Sequence, residues 1–191
     1  RSETERIRAR VESLGGWDAW NASLTDWRQA IAELRMAGKG RGGVEQTLFH
    51  GGTMKFLRRT DRPIAGEGAV PSWSASAVSA AREVSAVLAA RGIDLIVAPA
   101  PCKLSIYPER SGTTPPSEVG VQYLWLMSEL LANDVEVIDL YTPFIENRFD
   151  GNELLYYRTD HHWNGRGIAL AASVIAKAAI ARPALISGTL R

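Results

Sequence analysis

"SASAVSAAREVSAVLAARGIDLIVAPAP", residues 74–101, is the stretch on which the fold turns. Ser74 to Arg91 predicts a helix, and Gly92 supplies the residue that lets a helix end in a left-handed conformation. The run that follows, "IDLIVAPAP", is almost continuously apolar. That pattern suits a strand buried on both faces rather than one with a wet side. The same order then recurs. "SEVGVQYLWLMSELLAND" (117–134) reads as a helix and runs into "VEVIDLYTPF" (135–144), with Asp94-Leu95 and Asp139-Leu140 at comparable places. Helix followed by buried strand, twice, is the rhythm of an α/β protein with a parallel sheet.

Working outward, residues 2–37 read as helical. Ser2 and Glu5 have the spacing of a capping box, a break falls at Gly15-Gly16, and Trp17, Trp20 and Trp27 recur at helical intervals. This stripe is expected to pack on the domain or on a partner, with sugar stacking as the other use. "GKGRGG" (38–43) is a basic loop without the Lys-Ser/Thr ending of a phosphate loop. "VEQTLFHGGTMKFLRR" (44–59) predicts two short strands turning at Gly51-Gly52. A last helix is expected from Gly165 to about Ile180, with Asn164 as its N-cap and Pro183 marking its end. The organisation expected is an N-terminal helical segment, 1–43, and an α/β domain, 44–191.

Composition narrows the function. Hydrophobic residues make up 46% and charged residues 23%, so a proper core is available. A net charge of +1 gives no bulk field toward nucleic acid, and no nucleic-acid partner is expected. No apolar run approaches the roughly 18–20 residues that span a bilayer. The single Cys102 excludes an internal disulfide and a cysteine metal cluster. The chain opens at Arg1 without a methionine, which reads as a mature or trimmed form whose targeting segment is gone.

In open parallel sheets, sites gather beyond the C-terminal ends of strands. Residues 99–116 and 141–162 are the loops expected there, with the Gly51 turn as a third. The second contains "YYRTDHHWNGRG" (156–167), which holds two of the three histidines. A carboxylate bonded to one imidazole nitrogen fixes the tautomer and frees the other nitrogen to take a proton. Asp160 and His162 suit that role on an irregular loop. From the residues alone, three readings stay open: a surface or capping network, a metal site on Asp160, His161 and His162, and a catalytic Asp-His pair. Zinc usually takes three or four ligands, and the remaining candidates, His50 and Cys102, lie far off in sequence.

"LLYYRTDHHWNGRGIALAA" (154–172) resembles the Asp-x-His-Trp signature of the alginate O-acetyltransferase group, the SGNH-hydrolase-like domain of periplasmic proteins that acetylate bacterial exopolysaccharides. Upstream, "TLFHGGTMKFL", "IDLIVAPAPCKLSIYPE" and "VEVIDLYTPF" resemble further segments of that family in the same order. The resemblance covers roughly residues 44–180. It implies a three-layer, flavodoxin-like parallel sheet flanked by helices, incomplete at its C-terminal side if the chain omits the end of the domain. It makes Asp160 the triad acid and His162 the triad base. His161 falls at the variable position between them. Trp163, Tyr157 and Lys103 are expected on the substrate side, with Trp163 packing beneath the loop ahead of stacking on a sugar, and with Lys103 and Tyr107 supporting the site wall.

The resemblance implies a serine nucleophile after the Asp-x-His pair, on a short turn. Ser173 lies inside the last helix, Ser187 lacks the family's surroundings, and Ser105 and Ser111 lie in the loop after "IVAPAP". None carries the motif, so the serine is expected beyond residue 191, lost, or replaced. The implied activity is polysaccharide O-acetyl transfer or acetyl-ester hydrolysis, without metal or cofactor. The implied setting is the periplasm, with a polysaccharide and a membrane partner that delivers the acetyl donor. The alternative is a non-catalytic polysaccharide-binding or scaffold protein of the same fold. Its aromatic candidates are Trp125, Trp163, Tyr156 and Tyr157.

Overall fold

The computed structural model describes residues 3–13, 72–115 and 119–181, together with residues 22, 27, 29, 30, 47 and 49. The expected hairpin at 44–59, the basic loop, Trp17, Trp20, His50 and Ser187 lie outside the described residues, apart from the buried Thr47 and Phe49.

In chain order the elements are α1 (Glu3–Ser13), α2 (Ser72–Ala89), β1 (Ile96–Val97), α3 (Lys103–Ile106), a 3-10 turn (Pro108–Ser111), α4 (Val121–Ala132), β2 (Glu136–Val137), α5 (Tyr141–Asn147) and α6 (Gly165–Ile180). β1 and β2 pair in parallel, with Ile96 opposite Glu136 and Val97 opposite Val137. The Ile138 N–H extends the ladder to the Val97 carbonyl at 2.9 Å. Parallel neighbours need a crossover, and α4 provides it.

α2 ends as its sequence dictates. Gly92 has φ 72°, and the Ile93 N–H returns to the Leu88 carbonyl at 3.1 Å. A residue with a Cβ would be strained there. α4 carries Leu124, Met127 and Leu130 into the core, and α1 packs against it through Ile7, 1% exposed. The N-terminal helix thus shares one core with the strand pair. Its Arg6 also reaches the Asp139 carboxylate, just past β2, at 2.8 Å. Trp27 is buried, and its indole N–H donates to Thr113 Oγ1 at 2.8 Å.

The strands are shorter than the apolar runs that contain them. Only Ile96–Val97 of the run 93–101, and Glu136–Val137 of the run 135–144, have strand pairing. The expected three-layer sheet is represented among the described residues by this one pair. The second run also turns into α5. Asp139 Oδ1 accepts the Thr142 N–H at 3.0 Å, a helix-starting bond. Pro143 lies in the first turn, where its missing N–H costs nothing. The loop 99–116 likewise contains α3 and the 3-10 turn.

Candidate functional site

The site is built on the segment between α5 and α6. Tyr156 and Trp163 form an antiparallel bridge. The Tyr157 N–H bonds the His162 carbonyl, and the Asn164 N–H bonds the Leu155 carbonyl, each at 3.1 Å. Residues 157–162 are thereby pinched into a closed loop. Side chains alternate across such a bridge. Tyr156 therefore points inward, 2% exposed, and its hydroxyl donates to the Pro101 carbonyl at 2.6 Å. Tyr157 points outward, 54% exposed. Tyr156, considered above as a sugar-stacking face, offers no ring to solvent.

The far side of the loop is fixed by α6. Asn164 Oδ1 accepts the N–H groups of Arg166 and Gly167, both at 3.0 Å. Its Nδ2 donates to the Leu154 carbonyl at 2.6 Å. The expected N-cap is present, and it also ties the helix to the incoming chain. Gly167 is obligatory for another reason: a Cβ there would overlap the Leu155 carbonyl oxygen. Trp163 packs tilted on Phe144, ring centres 5.0 Å apart.

At the crown of the loop Asp160 Oδ1 accepts three bonds: from the His161 N–H at 2.5 Å, the His162 N–H at 3.2 Å and His162 Nδ1 at 2.8 Å. Desolvation pushes the Asp160 carboxyl up. The bonds from the His162 ring and the two backbone N–H groups outweigh it and hold the group below its ordinary range. With the proton on Nδ1, His162 keeps Nε2 as an acceptor. His161 Nδ1 stands 3.2 Å from the same oxygen, and the two imidazoles lie 3.9 Å centre to centre. The ligand atoms of these three exposed residues all lie within 4.8 Å of one another, the cluster a metal-dependent reading would require.

Beneath the crown is Lys103, 2% exposed. Its Nζ donates to the carbonyls of Tyr157, Arg158 and Asp160 at 2.7, 2.7 and 3.0 Å. The Phe49 ring lies 5.7 Å from the ammonium. Burial, then Arg110, lowers its pKa to about 8, against the pull of Asp160. Tyr107 supports the same wall. Its hydroxyl donates to the Arg148 carbonyl and accepts the Leu155 N–H, both at 3.0 Å, and burial pushes its pKa up.

A cavity of about 470 Å³ opens between the strand-end residues Ala100, Pro101, Cys102, Lys103 and Leu104 and the facing His161, His162, Trp163 and Ile168. It lies just beyond β1, where a parallel sheet places its sites. The structure thus brings His162, Trp163 and Lys103 to one hollow, with Asp160 behind His162. Tyr157 does not line it. Cys102, Leu104 and Ile168 do; Cys102 is considered above only as a distant metal ligand, and nothing in the sequence singles out Leu104 or Ile168. No serine lines the cavity among the described residues. Ser105 is buried with its Oγ 3.0 Å from Cys102 Sγ, Ser111 is buried against Thr113, and Ser173 is exposed on α6.

The sequence profile of the family described as SGNH hydrolase-like domain, acetyltransferase AlgX, matches residues 65–189. The chain belongs to this family. The match contains β1, β2, α6 and every one of the cavity residues. A probable alginate O-acetylase AlgJ of Pseudomonas fluorescens is 32% identical over 91 residues. That match covers 47% of this chain but 23% of the relative, so the chain spans about a quarter of that protein. No solved structure matches the chain. Family membership agrees with helices around a parallel strand pair. Among the described residues, no helix is long and apolar enough to cross a membrane.

Proposed function

We propose that this chain carries the acid and base of a serine acyl-transfer site that adds or removes acetyl esters on a bacterial exopolysaccharide. One observation carries the reading: the Asp160–His162 hydrogen bond of 2.8 Å, with His162 at the wall of a cavity beyond β1. The β1–α4–β2 unit is then one crossover of a three-layer sandwich. The polymer, an alginate-like one on the relative's printed name, is the acceptor. A membrane partner supplies the acetyl donor in the periplasm.

The chemistry needs no electrons and no metal. A serine hydroxyl gives its proton to His162 Nε2 as its oxygen bonds the acetyl carbonyl carbon. The tetrahedral intermediate collapses, and the donor's leaving oxygen or sulfur takes the proton back from His162. A sugar hydroxyl, deprotonated by the same nitrogen, then attacks the acetyl-serine, and the departing serine oxygen takes that proton back from His162. Water in place of the sugar gives hydrolysis. Asp160 stays ionised throughout and steadies the imidazolium. Trp163 borders the acyl pocket, and the outward Tyr157 offers its ring to the polymer.

The reading requires a serine that the described residues do not bring to the cavity. That gap favours one second reading, a polysaccharide-binding or scaffold protein that keeps the fold. Fluorophosphonate labelling with peptide mass spectrometry separates the two, run on this chain, on the longer gene product and on His162→Ala. Acyl transfer predicts label on one serine that is lost in His162→Ala. A folded protein that binds polymer but takes no label in either length is the binding reading. Activity abolished by a chelator and restored by zinc would replace both with the metal reading.

A further inference from the structure

The crown of the loop stands out into solvent. Asp160, His161 and His162 are all exposed. The Tyr156–Trp163 bridge closes the base of the loop, not its tip. At the tip the backbone supplies one long bond, Asp160 N–H to the Tyr157 carbonyl at 3.4 Å. Yet three carbonyls of this stretch turn inward and converge on one point. Left alone, their oxygens would repel one another across a part-buried space.

We propose that Lys103 is the positioning residue of the Asp160–His162 pair. An ammonium offers three N–H donors, and the carbonyls of Tyr157, Arg158 and Asp160 stand within 3.0 Å of this one. These carbonyls lie on both limbs of the turn, so one cation fixes its curvature. The carbonyl of Asp160 is among them. Its grip therefore sets where the Asp160 side chain leaves the backbone, and with it the distance from Oδ1 to His162 Nδ1. Lys103 is itself the first residue of α3, close after β1, so the sheet end governs the loop directly. Other charges facing the ammonium are Arg110, from the 3-10 turn, and Arg158, from the loop itself. Both repel it, while the three carbonyls, Asp160 and the Phe49 ring attract it. The inference rests on reading Asp160 and His162 as the acid–base pair, but it is tested on the pair's geometry.

The experiment compares wild type with Lys103→Met, which keeps length and loses every donor, and with Lys103→Ala. Long-range 1H–15N spectra of the imidazoles report which ring nitrogen carries the proton. Amide exchange of residues 157–163 reports the loop. Wild type is expected to hold the neutral His162 ring as the Nδ1–H form. Lys103→Met is expected to mix the two tautomers and to exchange the His161 and His162 amides about tenfold faster, with α6 unchanged. In Lys103→Ala, n-propylammonium should restore slow exchange and n-propanol should not. Should Lys103→Met unfold the domain, Lys103→Gln, with two donors, makes the same comparison. An unchanged tautomer and exchange in a folded Lys103→Met, or rescue by the alcohol, would reduce Lys103 to a filler of space and overturn the proposal. A responsive loop in a chain that never labels with fluorophosphonate would keep the positioning role and remove the acyl-transfer reading instead.

Discussion

Asn164 joins the last helix to the site loop, and its replacement gives the most quantitative test of the local architecture. Its Oδ1 takes two N–H groups of the first turn of α6, and its Nδ2 gives one bond to the Leu154 carbonyl. Loss of an N-cap typically costs about 1 kcal/mol. Loss of the bond to Leu154, which is half-buried, adds about another 1 kcal/mol. Asn164→Ala is therefore expected to lower unfolding free energy by about 2 kcal/mol. Asn164→Ser keeps a capping oxygen and loses only the Leu154 bond, so it should cost about half as much. Urea denaturation followed by far-UV circular dichroism measures both. The reasoning predicts an order: wild type, then Ser, then Ala. An Ala variant within about 0.5 kcal/mol of wild type, or a Ser variant as unstable as Ala, would refute the assignment of separate capping and tethering roles.

Gly167→Ala should be worse than either, because the added carbon meets a backbone carbonyl that has no rotamer to retreat to; a loss of about 3 kcal/mol or more is expected in the same assay. Ile7→Ala removes a fully buried side chain at the α1–α4 contact and should cost about 2–5 kcal/mol, which would show that α1 belongs to the cooperative unit. Lys103 makes a pH prediction. Its pKa is about 8 in the folded protein against 10.5 ordinarily, so the unfolded chain binds more protons between those values. Stability from this group should rise with pH across that window, by up to about 3 kcal/mol, and Lys103→Met should lack the rise. Asp160 acts in the same sense at the acid end. Its lowered pKa contributes stability above the ordinary carboxylate value, lost as pH falls through the folded one, and Asp160→Asn should flatten that acid limb in a denaturation series.

Much of this arrangement is legible in the residues. Gly92 and Asn164 announce the ends of their helices because each carries the atoms, or lacks the carbon, that a helix end demands. Chemistry makes Asp160 and His162 a candidate pair, but local residues leave three readings open, and the family resemblance singles the pair out. α5 is hidden because its start includes a bond from the Thr142 N–H to the Asp139 carboxylate, within a run that also reads as strand. Tyr156 and Tyr157 cannot be told apart by composition; a single backbone bridge sends one inward and the other out. The work of Lys103 is the least legible of all. Its partners are backbone carbonyls, which every residue has, so no residue type marks them.

The bond between Arg6 and Asp139 spans 133 positions of the chain, and that separation bears on how the protein is made. A ribosome adding about 5–20 residues per second takes roughly 7–27 s to travel from one to the other. During that interval α1 has left the tunnel, while its partners, α4 and the end of β2, have yet to be synthesised. Ile7 then has no surface to cover it. The docking of α1 is therefore a late, long-range event, possible only once the chain as far as Asp139 is present.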